Sequence, residues 1–123
     1  MEELKHYKMF NSYTIAQALE TLDAIQELLK KVLEKGNQPF DESDSNVLNN
    51  CISTLYILMK DIKEELQTTP VYCVLVKAQT KLHTQNIKNQ TGIFNSIDIK
   101  ADITTAMLCV NDAIEILKLE NTV

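Results

Sequence analysis

The side chains able to do chemistry in this chain are few and widely spread. Cys51, Cys73, Cys109 and His83 are the kinds of ligand a zinc ion takes, yet zinc sites draw them in close pairs and no Cys-x-x-Cys occurs here. The cysteines lie within apolar stretches, so they are expected as buried free thiols packed in a core rather than as ligands or disulfides. Glu3 and His6 have the three-residue spacing used by carboxylate-bridged di-iron bundles, but that site needs a second copy and none exists. Cys73 and His83 form no thiolate–imidazole pair, because ten residues of helix put them about 15 Å apart along the axis. Glu64, Glu65, Asp112 and Glu115 fall on expected solvent faces, and two isolated glycines cannot build a phosphate-binding loop. The expectation is a non-enzymatic protein with no metal and no cofactor.

Charge offers a more specific feature. Between Glu65 and Asp98 there is no acidic residue, whereas Lys77, Lys81, His83 and Lys88 occur there, in a chain of net charge -5. The three lysines repeat at helical spacing, and a strip of this kind suits an acidic protein partner, a second copy of the chain or a phosphate backbone. An ordinary solvated face explains the same residues. Every basic residue is Lys, so the bidentate fork best suited to phosphate and guanine is missing. Residues 80–105 can be forced into a helix-turn-helix, but Asp98 and Asp102 then open the reading helix and repel phosphates. A dimeric nucleic-acid-associated regulator is therefore only the alternative reading.

Leu4, Tyr7, Met9 and Phe10 lie among charges in the first ten residues. Such an arm frays, packs on its own bundle or inserts into a partner, and its aromatic residues make it the place to seek an exchanged dimer contact. The candidate partner-binding residues are Tyr7, Phe10, Lys77, Lys81, His83 and Lys88.

These residues need elements to carry them, and apolar periodicity supplies four helices. Ile15, Ala18, Leu19, Leu22, Ile25, Leu28, Leu29, Val32 and Leu33 recur at steps of three and four. Thr14 with Gln17 makes a capping box and Gly36 suits a left-handed end, which predicts a helix over 14–35. Asp41 caps a second helix that keeps its period through Cys51, Leu55, Met59, Ile62 and Leu66 until Pro70 approaches. Residues 71–76 are a continuous apolar run that reads as helix or buried strand. With no second strand to pair with and no breaker before Asn89, a third helix starting just after Pro70 is the expectation. After Gly92, Asn95 or Ser96 caps a last helix whose stripe holds Ile103, Ala106, Met107, Val110, Ala113, Ile114 and Leu117, fraying near Leu119. Residues 15–30 and 103–118 align without gaps, a likeness two amphipathic helices reach easily.

Chain length, 45% hydrophobic and 24% charged residues fit one globular domain, and the scarcity of Gly and Pro between long periodic segments argues for an all-α fold. Short connections make successive helices antiparallel neighbours, so the expected fold is a single-domain, up-down-up-down four-helix bundle over residues 1–123, with residues 1–12 as an N-terminal arm. No long apolar run or signal core is present, so neither a membrane span nor a secreted protein is expected, and the Asn89 sequon is discounted. The functional expectation is a cytoplasmic protein–protein interaction module, such as an adaptor, inhibitor, chaperone or assembly subunit, with a protein partner and a homodimer contact in view.

Overall fold

The computed structural model describes residues 9–35, 41–90 and 96–121 of the chain. Among these residues the fold is all-α, a helical bundle of four helices: α1 (Ile15–Glu34), α2 (Glu42–Asp61), α3 (Pro70–Gln90) and α4 (Ser96–Asn121), with a 3-10 turn at Glu64–Leu66. The first two helices begin where their side chains satisfy otherwise orphaned amides. Thr14 Oγ1 accepts from the Gln17 amide at 3.0 Å and Gln17 Oε1 accepts from the Thr14 amide at 2.9 Å, closing the expected capping box. Asp41 and Asp44 make the same reciprocal pair at the start of α2, at 2.9 and 3.0 Å. Lys35, at the end of α1, then donates from Nζ to Asp41 Oδ2 at 3.0 Å and to Asp44 Oδ2 at 2.6 Å. Asp44 is buried, so that lysine also compensates a carboxylate removed from water. The suggested role of Gly36 lies outside the described residues, as do Tyr7 and Asn95.

Two expectations about element limits are decided by the fold. Residues 71–76 are helical, and Val71 and Leu75 point inward one turn apart, followed by Ala78 and Leu82 on the same stripe. The second helix does not reach Leu66. It stops at Asp61, and Ile62 turns extended, with φ -64° and ψ 132°. The reason is a tertiary contact: Ile62 makes an antiparallel bridge with Phe10, which holds its backbone out of the helix. Period alone continued through Leu66 because Ile62 is fully buried and Leu66 packs against the core, although neither is part of α2.

One core cluster contains side chains from all four helices and from Phe10. α1 packs on α2, α2 on α3, α3 on α4, and α4 back on α1, so each helix has two principal neighbours. The gap-free alignment of 15–30 with 103–118 has a packing counterpart: Ile15, Ala18, Leu22, Ile25 and Leu29 are buried, and so are Ile103, Ala106, Val110, Ala113 and Leu117. That correspondence follows from the shared 3.6-residue period. Polar residues enter the interior between α2 and α3. Ser45 Oγ donates to Asn86 Oδ1 at 3.0 Å and Asn86 Nδ2 donates to Asn49 Oδ1 at 2.8 Å, so both ends of the buried amide are used. Gln85 beside it is buried with its Oε1 lacking a hydrogen-bond partner.

The packing predicts unequal costs of truncation. Phe10→Ala should destabilise the chain by about 3–5 kcal/mol, as for a core aromatic, and Leu55→Ala by about 2–5 kcal/mol. Leu108→Ala, on the exposed side of α4, should stay within about 0.5 kcal/mol. Urea unfolding of the three variants followed by circular dichroism checks the order; a neutral Phe10→Ala would mean that the segment before α1 does not belong to the folded core.

Candidate interaction surface

Residues 9–13 are built into the bundle. Phe10 is only 1% exposed, and its ring meets Tyr13 edge-on with centroids 6.4 Å apart. On either side of the bridge to Ile62, the Asn11 amide donates to the Asp61 carbonyl at 2.8 Å and the Lys63 amide donates to the Met9 carbonyl at 3.0 Å. Asp61 Oδ2 then accepts from the amides of both Ser12 and Tyr13, each at 2.9 Å. A single carboxylate at the end of α2 thus satisfies two amides leading into α1, and bonds of this charge-assisted type are the stronger kind. Of the two aromatic residues singled out in the arm, Phe10 is an internal anchor and presents no ring at the surface.

The lysine strip sits differently. Lys77 and Lys88 are separated by about three turns and share a face of α3 with Lys81, while His83 falls about 140° round the helix from Lys88. The structure therefore does not gather all four candidates on one surface. Lys77 and Lys81 lie on the side of α3 that meets α4, close enough to Cys109 that their charges act to lower its pKa, while Asp112 of α4 acts on the same thiol in the opposite sense. Two lysines of the strip and an acidic residue of α4 thus act on one thiol, so the charge around Cys109 is mixed in sign.

The chain matches no family model, no curated protein and no solved structure. Its surface must be read from its own residues.

Large apolar side chains stand exposed at Tyr56 and Ile57 on α2, Ile87 on α3, and Leu108 and Leu119 on α4. Tyr56 and Ile57 are consecutive, and the Lys60 ammonium lies 5.8 Å from the Tyr56 ring centroid, a cation–π contact that restrains both side chains. This gives α2 an outward aromatic–aliphatic–basic group opposite its buried stripe of Leu48, Cys51, Leu55 and Leu58. Sequence reasoning missed it because Tyr56 and Ile57 interrupt the apolar period without breaking it; being off the stripe was the available signal. A second feature is an apolar cleft of about 350 Å³ lined by Met9, Leu66, Thr69, Pro70, Val71, Ile116 and Glu120. No helix is long and apolar enough to cross a membrane, and no group of three metal-ligating side chains occurs, among the described residues.

The cysteines divide into two classes. Cys51 and Cys109 are buried, and burial pushes the Cys51 thiol up to about 11 and that of Cys109 upward. Cys73 is exposed, contrary to the expectation that all three pack in the core, because it lies off the Val71–Leu75–Ala78 stripe of α3. A thiol reagent at mildly alkaline pH should therefore modify Cys73 alone in the folded chain and all three after unfolding, as mass spectrometry would show. Raised native thiol pKa values mean that the folded state holds its protons longer, so the contribution of Cys51 to stability is intact below the ordinary thiol value near 9 and declines as pH rises towards about 11. A Cys51→Ala variant should lose that part of the alkaline decline in urea titrations.

Proposed function

We propose that this chain is a non-enzymatic protein–protein interaction module, acting in the cytoplasm, whose helices form an up-down-up-down antiparallel bundle presenting a rigid helical face. Antiparallel order is supported at both ends. Phe10, just before α1, meets Ile62, just after α2, and Ser45 near the start of α2 meets Asn86 near the end of α3. Met9, Leu66, Val71 and Ile116, which lie before the first helix, after the second, at the start of the third and near the end of the fourth, line one cleft. A reducing compartment accords with the free thiols at Cys51, Cys73 and Cys109.

The observation that carries the functional reading is the outward group on α2, with Tyr56 48% and Ile57 55% exposed beside Lys60. A tyrosine and a basic side chain next to an aliphatic one are what interface centres use: broad amphipathic contact area at small entropic cost, with charge setting orientation. The helix holding them is fixed by its capping box and by the Asn49–Asn86 contact, so little freedom remains to be lost on binding.

Cross-linking and affinity enrichment with paired variants test this assignment. Tyr56→Ala with Ile57→Asp should lower recovery of the bound partner on the order of thirtyfold, the loss of about 2 kcal/mol expected at an interface centre. Lys77→Glu with Lys81→Glu should leave it nearly unchanged. The reverse pattern, with binding to nucleic acid that falls steeply as salt rises, would move function to the lysine strip.

A further inference from the structure

We infer that the apolar cleft at the end of the bundle binds a small amphiphilic amine, with its apolar tail between Met9, Leu66 and Ile116 and its ammonium group on the Glu120 carboxylate. This goes beyond the interaction face on α2 and does not depend on it.

The cleft has a fixed apolar floor. Val71 is 1% exposed and belongs to the core, and Met9, Leu66 and Ile116 pack against that core while lining the cleft. Four stretches of chain wall it: the segment before α1, the turn after α2, the start of α3 and the last turns of α4. Its volume of about 350 Å³ stands at the small end of the range for ligand pockets, about 300–1,000 Å³, which selects a short tail. Met9 suits such a wall, because an unbranched thioether adapts to the shape beside it.

The polar rim decides the sign of the ligand. Thr69 has no donor to offer, since its hydroxyl donates to the Leu66 carbonyl at 2.6 Å and its amide to the same carbonyl at 3.1 Å. Its own carbonyl accepts from the Cys73 amide at 3.1 Å, and Pro70 has no amide hydrogen. Glu120 is then the one charged side chain on the lining, half-buried, and no described residue pairs with its carboxylate. Lys118 lies about 200° round α4 from it and does not line the cleft. The start of α3 and the end of α4 bring opposite partial charges of about half a unit each, which offset one another and leave the full charge of Glu120 to decide. A single carboxylate at the mouth of an apolar cleft attracts a cation with an apolar body and repels an anion with the same tail.

The test uses the full chain, carbon-13 labelled at its methionine methyl groups and titrated with hexylammonium, hexanol and hexanoate at one ionic strength. The Met9 signal should shift saturably with hexylammonium, with a dissociation constant on the order of a millimolar, as suits so small a ligand. Met59 and Met107, which do not line the cleft, should keep their positions. Hexanol should bind on the order of fivefold more weakly, the share of one partly exposed charge, and hexanoate more weakly still. Glu120 lies outside the core, so its substitutions should leave the fold intact, which circular dichroism verifies. Glu120→Gln should bring hexylammonium down to the level of hexanol and leave hexanol unchanged, and Glu120→Lys should make hexanoate the tightest of the three. Hexylammonium that leaves Met9 in place, that shifts all the methionines alike, or that binds the Glu120→Gln chain as tightly as the unsubstituted one would overturn the proposal.

Discussion

Each helix of this chain carries an apolar stripe that it cannot hide by itself, and the fold depends on those stripes closing around one another and around Phe10. Leu22 and Leu29 from α1, Leu48 and Leu55 from α2, Leu75 and Leu82 from α3, and Ile103 and Leu117 from α4 are all lost to solvent, and Phe10 joins them from outside any helix. Interiors are close-packed, so removing one of these side chains leaves a void that neighbours only partly fill. The segment before α1 is thus bound to the same condition as the helices: its aromatic anchor must be seated for the core to be complete. The end of α2, the extended Ile62 and the direction in which α1 starts all follow from that seating.

Polar groups arrange what the apolar stripes leave undetermined. Asp61 converts a hydrophobic contact at Phe10 into a directed one by holding the Ser12 and Tyr13 amides. Lys35 ties the end of α1 to the start of α2 through Asp41 and Asp44. The Ser45–Asn86–Asn49 chain aligns α2 with α3, because sliding either helix by one turn would strand a buried amide. With register set in this way, Tyr56, Ile57 and Lys60 sit on a face the core does not use, and the reading of α2 as the interaction surface rests on that remainder.

How much of this was legible in the sequence depended on contact range. The all-α class, the apolar stripes and the caps at Thr14 and Asp41 were readable because each is local: periodicity and capping act within a few residues. The reciprocal role of Asp44 was not legible, since the shorter aspartate departs from the usual Glu or Gln at that position. The Asp61 contacts span 48 and 49 residues and the Asn86 contacts 37 and 41, and no local rule connects such positions. Phe10 illustrates the consequence. An aromatic residue among charges near the beginning of the chain looks available to a partner until the socket at the α2–α3 corner is seen. The lysine strip shows the converse, as spacing put Lys77, Lys81 and Lys88 on one face but could not reveal that Lys77 and Lys81 act on Cys109 of α4 together with Asp112.

Amide hydrogen exchange at the α2–α3 corner tests the central claim most directly. If the segment before α1 is part of the cooperative core, the amides of Asn11, Tyr13 and Lys63 exchange only as slowly as the central amides of α2 and α3, through global unfolding. Exchange of Asn11 and Tyr13 at the rate of an unstructured peptide, while α2 and α3 stay protected, would show that the bundle closes without this segment and would contradict the account.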